Sequence, residues 1–348
     1  MSSGQEIHKY LKLNKIGQGS LAEVFMAKDR IIKKLFAMKL SIQSNIEESN
    51  KLVVIREAKI LKTLNHQNII KLLDYSDSAE QSIVLSRHPS SVLSIIEFCP
   101  CSLSQLIVHP EFQFEVTEIK TIVWQLILGL NYIHEKKIFH TDLRPSNILM
   151  NSKGVVKLSD FGLATYLNST PMKQDWTFLS PAMWYAPPEE LLGKGNYKVP
   201  EDTWRLGNTF FSVCIIPEMW RKKPIMEGWN RIDQLVRIFE LCGSMHLASW
   251  PEVVNYEFFD RNVLPLNCRR NILPHLGPII NDEEILEMID EMLVISPHFR
   301  RPLRKTLDWL HFISRVDYQP WVLRPMLERY SNCTGVDFPR LDLLDDDH

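Results

Sequence analysis

The sequence has little glycine and no low-complexity tract. Glycine accounts for 13 of 348 residues, whereas an average protein has about 7%. This shortage excludes collagen-like and linker-rich chains, and it makes any pair of closely spaced glycines informative. With 45% hydrophobic and 24% charged residues, the remaining composition is that of a globular protein and excludes a disordered chain.

Long hydrophobic runs and paired cysteine motifs are absent as well. No stretch of about 18 apolar residues occurs, and the first ten residues lack the apolar segment of a secretory signal. The six cysteines show no C-x-x-C pair and no zinc-like spacing. We therefore expect an intracellular protein of the nucleus or cytoplasm, with reduced thiols and no membrane contact.

Neither sign of charge dominates, since 40 Lys and Arg residues stand against 42 Asp and Glu residues. A chain whose main partner is nucleic acid usually carries a basic excess, so we expect no direct nucleic-acid binding. At about 150 residues per domain, the length predicts either two domains or one bilobal unit.

Strand patterns dominate the first hundred residues, and helical patterns dominate the rest. Apolar alternation predicts strands at 10–16, 22–28 and 35–40, and helical spacing predicts one helix at 51–64. Further helical patterns follow at 116–135, 201–220, 230–243, 282–295 and 302–315. The predicted fold class is α+β, with a small β-rich lobe that holds one key helix and a large, mainly helical lobe.

Three features of the small lobe are ambiguous when taken singly. Gly17 and Gly19 allow backbone N–H groups to approach a phosphate closely, but they also suit a simple turn. Ala22 stands where a third glycine would complete the motif. Lys39 lies in an apolar strand and Glu57 in a helix, and each is equally consistent with an ordinary surface charge.

The stretch HTDLRPSN at 140–147, followed by DFG at 160–162, carries the decisive signal. Asp142 and Asn147 offer a base and a metal ligand from one loop, and Asp160 adds an oxygen ligand of the kind that Mg²⁺ prefers. WYAPPE at 184–189 and DTWRLG at 202–207 come next. Motifs in this order and at these separations are very improbable by chance.

Together these motifs resemble those of the eukaryotic protein kinases over roughly residues 8–315. The resemblance implies a bilobal kinase fold and Mg²⁺-dependent transfer of the ATP γ-phosphate to serine or threonine hydroxyls of proteins. It divides the chain into an N-terminal extension (1–9), a kinase domain (10–315, with lobes of about 10–98 and 99–315) and a C-terminal extension with an acidic tail (316–348).

The resemblance also implies a role for each matching residue. Lys39 would hold the α- and β-phosphates and pair with Glu57, Asp142 would be the catalytic base, and Arg144 would contact the γ-phosphate. Asn147 and Asp160 would hold Mg²⁺. The implied ATP-binding residues are Ile16, Gly17, Gln18, Gly19, Ser20, Val24, Ala37, Lys39, Glu97, Cys99 and Leu149.

Within that family the chain is similar to the cyclin-dependent kinases. The resemblance rests on four segments: KLVVIRE at 51–57, LNHQNIIKLLD at 64–74, IDQLVRIF at 232–239 and WPEV at 250–253. It implies a role in cell-cycle or transcription control, with protein substrates and with a cyclin or another kinase as a candidate partner. Only I-R-E of the helix signature that contacts cyclins is retained.

The activation loop departs from the family pattern. Thr141 and Thr165 replace two of the three arginines that cage a phosphothreonine in the family, and only Arg56 remains beside the aligned Thr177. We therefore expect activity without phosphorylation of Thr177. These losses are similar to those of divergent fungal kinases that activate cyclin-dependent kinases as monomers.

Two substitutions near the predicted substrate site raise an alternative. Ala182 and Ala186 replace a threonine and an arginine of the family, and the loss of that arginine argues against strong selection for proline after the phosphoacceptor. With Thr141, these changes admit a pseudokinase scaffold that does not transfer phosphate efficiently. The retained residues speak against it: Lys39, Glu57, Asp142, Asn147 and Asp160.

Overall fold

The computed structural model describes residues 9–19, 22–41, 48–76, 93–166, 181–193, 214–260, 263–306 and 318–335, and at 48–52, 181 and 182 only the backbone. Several sequence features therefore lie outside the described residues. They are Ser20, Thr177, the 202–207 motif, the side chain of Ala182 and the acidic tail.

A five-stranded antiparallel sheet forms the small lobe. Its strands are β1 (Tyr10–Gln18), β2 (Ala22–Asp29), β3 (Leu35–Ser41), β4 (Leu72–Ser76) and β5 (Leu93–Glu97), in the order β1-β2-β3-β5-β4. Alternation along the strands buries Phe25, Met38 and Ile95 in one apolar cluster. Because Met38 faces that cluster, its neighbours Ala37 and Lys39 face the other side of the sheet.

Helix α1 (Glu48–Lys62) completes the small lobe. Its buried residues follow helical spacing at Val53, Val54, Ala58 and Leu61. The helix contacts the 3₁₀ turn at 161–163 of the large lobe, and the fit is tight, since a Cβ added at Gly162 would lie 3.1 Å from Val53 Cγ1. The helix that carries Glu57 is therefore held against the segment that carries Asp160.

The large lobe is mainly helical, as predicted. Its helices are α2 (Leu103–Val108), α3 (Val116–Glu135), α4 (Pro188–Leu191), α5 (Glu218–Arg221), α6 (Arg231–Cys242), α7 (Ile272–Leu276), α8 (Glu283–Met292) and α9 (Arg324–Thr334). Capping side chains begin α6 and α8, where Asn230 accepts the Asp233 N–H and Asp282 accepts the Ile285 N–H. No helix of the described part of the chain is both long and apolar enough to cross a bilayer.

Most of the helical predictions are confirmed. The segments 116–135, 230–243 and 282–295 correspond to α3, α6 and α8. Of 201–220 and 302–315 only parts are described, and these include α5 and a helical stretch at 303–306. Helices α2, α4, α7 and α9 were not predicted. The first three span six, four and five residues, which gives little periodicity, and α9 buries only Met326, Leu327 and Tyr330.

Two small sheets position the loops of the cleft. β6 (Cys101–Ser102), β8 (Ile148–Met150) and β9 (Val156–Leu158) form one, while β7 (Ile138–Phe139) and β10 (Thr165–Tyr166) form the other. The loop 140–147 lies between β7 and β8, and the segment 159–164 lies between β9 and β10. Strand pairing therefore brings together the two loops that carry Asp142, Asn147 and Asp160.

Helix α9, in the predicted C-terminal extension, packs on the large lobe. The Arg329 guanidinium lies 2.8 Å from the Glu118 carboxylate at the start of α3, and Tyr330 makes an edge contact with Phe112 at 5.7 Å between ring centroids. The predicted division of the chain at residues 9 and 315 stays a prediction.

A buried ion pair ties two distant segments of the large lobe together. Arg300 lies within 2.7 and 3.0 Å of the two Glu189 carboxylate oxygens, and it also donates to the carbonyls of Val294 and Ile295. The Arg300 side chain is 0% exposed and the Glu189 side chain 6%. Geometry of this kind offsets the cost of removing both charges from water.

We expect Arg300→Leu to lower the free energy of unfolding by about 3–5 kcal/mol, because the Glu189 charge would remain buried without its partner. The matched control is Arg237→Ala, which removes a half-exposed pair with Asp233 and should cost less than about 1 kcal/mol. Urea denaturation measures both variants. Equal losses in the free energy of unfolding would show that the buried pair stabilises the fold no more than the half-exposed pair does.

Candidate active site

Three charged side chains meet in the cleft between the lobes. Lys39 Nζ lies 2.6 Å from Glu57 Oε2 and 3.1 Å from Asp160 Oδ1. Glu57 is buried, whereas the Asp160 side chain is 43% exposed. Burial alone would lower the pKa of Lys39, but Glu57 and Asp160 outweigh it and hold that pKa above its usual range. The lysine is therefore a fixed positive charge.

Asp160 stands in a strained conformation. Its φ is +63°, in the left-handed region that a residue with a side chain rarely adopts. Burial would raise the pKa of its carboxyl, but the Lys39 ammonium overcomes this and lowers the pKa below its usual range. The carboxylate is thus ionised and directed into the cleft.

The loop 140–147 holds Asp142 and Asn147 against each other. Asn147 Nδ2 donates to the Asp142 carbonyl at 2.8 Å and to Asp142 Oδ2 at 2.9 Å. These bonds use the amide nitrogen. Asn147 Oδ1 accepts the Ser146 hydroxyl at 3.3 Å and is the side-chain atom that could also ligate a metal. Ser159 also bonds the Asn147 carbonyl, through both its N–H and its hydroxyl, which joins this loop to the one that carries Asp160.

Asp142 has an environment that suits a base. Its burial raises the pKa of the carboxyl to about 6, although nearby Arg144 acts to lower it. Arg144 Nε lies 3.6 Å from Asp142 Oδ1. A carboxylate whose pKa lies close to the working pH can accept a proton and release it again.

His140 and Thr141 anchor the same loop to the segment 159–163. His140 Nε2 lies 2.8 Å from the Ser159 carbonyl oxygen, and its ring packs on Phe161 at 4.7 Å between centroids. Thr141, at φ +59°, donates its hydroxyl to the Leu163 carbonyl at 2.7 Å. The Thr141 contact was missed by sequence reasoning, which treated this residue only as a lost arginine.

Apolar side chains surround the inner end of the cleft. Val24 pairs across the sheet with Lys39, and Leu149 pairs with Lys157. Ala37 is buried, Val24 and Leu149 are half-buried, and Ile16 is exposed. Apolar surface left open on both lobes is what a flat heteroaromatic ring needs on its two faces.

Glu97 and Cys99 lie at the connection between the lobes, where β5 ends. The Glu97 carboxylate accepts the Lys71 N–H at 2.7 Å and pairs with Lys157 Nζ at 2.7 Å. This ion pair ties the connection to β9, and sequence reasoning missed it because Lys157 has no motif of its own. Arg56 is half-buried on α1, while Ser20 and Thr177 lie outside the described residues.

The backbone of the glycine turn is open at Gly17 and Gly19. Gly17 pairs with Val24, Gln18 pairs with Glu23, and the Gly19 N–H donates to the Ala22 carbonyl at 2.8 Å. A Cβ added at Gly17 or Gly19 would make only ordinary contacts, at 3.6 Å. Packing among the described residues therefore does not require these glycines, and the open backbone suits the close approach of a phosphate.

A family model described as "Protein kinase domain" matches residues 10–311. The chain belongs to the protein kinase family. Cyclin-dependent kinase 9 of Danio rerio is 36% identical over 329 residues, which cover 94% of this chain and 86% of that protein. Cyclin-dependent kinase 9 of Homo sapiens is 36% identical over 329 residues, covering 93% and 85%.

A solved structure supports the same placement of this kinase. The yeast RNA Pol II CTD kinase CTDK-1 complex contains a chain that matches with a TM-score of 0.75 and 25% identity, over 93% of this chain and 99% of that one. The predicted kinase fold, the serine/threonine kinase activity and the cyclin-dependent-kinase-like branch are confirmed. Nothing in these comparisons favours the pseudokinase alternative, and the roles of single residues stay predictions.

We expect Glu57→Gln to reduce kcat/KM for ATP by ~10², since Lys39 would lose the partner that fixes its charge in the cleft. Lys59→Gln is the matched control, because Lys59 lies two residues further along α1 and is exposed. Steady-state kinetics on a generic protein substrate, with circular dichroism to confirm folding, measures both. Equal activity of the two variants would contradict the importance of the ion pair.

Proposed function

We propose that this kinase transfers the γ-phosphate of ATP to serine or threonine hydroxyls with Asp142 as the base. The observation that carries the proposal is the convergence of Lys39, Asp160, Asn147 and Asp142 in one cleft, with Lys39 held by Glu57. Transfer of a phosphoryl group uses all four side chains, because it needs positive charge and metal ligands for the phosphates and a base for the attacking hydroxyl.

The residues present fit Mg²⁺ and ATP. Asp160 offers an ionised carboxylate and Asn147 an amide oxygen, which are hard oxygen ligands of the kind Mg²⁺ takes. The open glycine turn and the Lys39 ammonium suit the phosphates, and the apolar surfaces of Val24, Ala37 and Leu149 suit the adenine. When bound, Mg²⁺ would neutralise charge on the phosphates.

Each side chain then has a defined task. Lys39 orients the α- and β-phosphates, and Arg144 supplies positive charge where the γ-phosphate lies. Asp142 orients the substrate hydroxyl and takes its proton as the new oxygen–phosphorus bond forms and the bond to the ADP oxygen breaks. Because burial raises the pKa of Asp142 to about 6, the base is largely ionised at neutral pH and can hold the proton briefly.

We expect Asp142→Asn to lower kcat by about 10²–10⁴, because the amide keeps the shape of the side chain but cannot accept a proton. Glu240→Gln, at an exposed carboxylate of α6, serves as the control and should leave kcat unchanged. Single-turnover transfer of labelled phosphate measures the chemical step. If kcat of Asp142→Asn stayed within threefold of the wild-type value, Asp142 would not be the base.

We also infer a nuclear kinase that acts in transcription, together with a cyclin-type partner. Support comes from the names of its relatives, cyclin-dependent kinase 9 and an RNA Pol II CTD kinase complex, and from the Ile55-Arg56-Glu57 sequence retained on α1. Helix α1 also carries Glu57, whose carboxylate lies 2.6 Å from Lys39 Nζ. A partner bound on α1 would therefore lie next to the residue that holds Lys39.

The two positions where the family pattern has caging arginines hold neutral threonines here. Thr141 donates its hydroxyl to the Leu163 carbonyl, and Thr165 is buried, so neither position offers a positive charge to a phosphate. The suggested activity on other cyclin-dependent kinases, without phosphorylation of Thr177, stays a prediction.

We expect Thr177→Ala to change kcat/KM by less than threefold, because one remaining arginine, Arg56, cannot build a three-way clamp for a phosphate. The variant is compared with wild type by steady-state kinetics on the same peptide, and phosphate at Thr177 is checked by mass spectrometry. A loss of tenfold or more would show that phosphorylation of this residue is needed.

A further inference from the structure

A cavity of about 230 Å³ opens beside the loop that carries Asp142. It lies between α2, the catalytic loop and the segment that follows α5. The polar and aromatic side chains of its lining come from the loop 140–147, from the WYAPPE motif, and from α5 and the turn after it: Arg144, Trp184, Tyr185, Glu218, Lys222 and Lys223. The proposed mechanism uses only Arg144 of this set.

Three cations line this cavity. Arg144 reaches it from the catalytic loop, and Lys222 and Lys223 reach it from the turn after α5. Lys222 Nζ is buried, has no hydrogen-bond partner among the described residues, and lies 4.8 Å from the ring centroid of Phe114. Burial lowers the pKa of this ammonium below its usual range, so an anion beside it would favour its charged form. Arg144 Nε is likewise buried and makes no hydrogen bond within the described chain. Cations without hydrogen-bonding anions favour a negatively charged ligand.

The acidic residue of the cavity does not cancel this charge. Glu218 is 2% exposed, its Oε2 accepts the Tyr185 hydroxyl at 3.2 Å, and its Oε1 has no partner in the described part of the chain. Burial raises the pKa of this carboxyl to about 8. Glu218 is therefore mostly protonated at neutral pH and offers a hydrogen-bond donor, which again suits an anion.

The cavity is connected directly to the site of phosphoryl transfer. Arg144 Nε lies 3.6 Å from Asp142 Oδ1, and Pro145 and Ser146, which follow in the same loop, also line the cavity. A substrate whose hydroxyl lies at Asp142 therefore brings residues close to the phosphoacceptor over the cavity mouth.

We propose that this cavity binds a phosphorylated serine or threonine of the protein substrate, within a few residues of the phosphoacceptor. A phosphate carries nearly two negative charges and three acceptor oxygens, which matches three cations and a protonated carboxyl better than an aspartate does. The inference rests on the proposed function and makes the kinase selective for substrates that another kinase has already phosphorylated.

The test uses the full chain and a set of serine peptides with phosphoserine placed singly at positions −4 to +4. We expect kcat/KM to rise at least tenfold for one position over the unphosphorylated peptide, with a smaller gain for aspartate there. Lys223→Glu should reduce that gain to less than twofold, since Lys223 is exposed and its replacement leaves the fold intact. Lys305→Glu, at an exposed lysine elsewhere in the large lobe, should keep it.

Three outcomes would overturn the inference. One is equal kcat/KM for all phosphorylated and unphosphorylated peptides, and another is a gain that survives Lys223→Glu. The third is a gain for peptides with arginine or lysine in place of the phosphoserine that disappears in Glu218→Gln, which would show an ionised Glu218 that binds a cation. Phosphorylation of the plain peptide, absent in Asp142→Asn, distinguishes these outcomes from failure of the proposed function.

Discussion

The contact between Lys39 and Glu57 is the interaction on which the cleft depends. At 2.6 Å, it joins the sheet to α1, and α1 in turn packs against the turn that carries Asp160. The same ammonium holds Asp160 in a left-handed conformation that would otherwise be unfavourable. One buried charge thus joins a strand, a helix and the loop that carries Asp160.

Buried charge is used differently in two parts of the large lobe. In the large lobe, the Glu189–Arg300 pair is fully satisfied and serves stability. Around the catalytic loop, by contrast, Arg144 and Glu218 keep polar atoms without hydrogen-bond partners among the described residues. Unsatisfied groups cost stability, and the chain keeps them where a ligand can complete them.

Much of the fold could be predicted from sequence because it follows local rules, and the centre of the site could be predicted because its motifs resemble those of the protein kinases. Strand alternation places Lys39 and Met38 on opposite faces of the sheet, and the spacing of Asp142 and Asn147 fits one short loop. Contacts between distant segments could not be predicted in this way. The Glu97–Lys157 pair, the bond from Thr141 to Leu163 and the burial of Glu218 arise only from tertiary packing, since no pattern in the sequence joins their residues.

We expect the Lys39–Glu57 contact to form in the chain by itself, without a partner and without a phosphorylated loop. The most direct test is the single-turnover rate of the phosphatase-treated, isolated chain with Mg²⁺ and ATP. We expect a rate at least a hundredfold above that of an inactive variant lacking the base. A rate no higher than that variant, rising only when a cyclin is added, would contradict it.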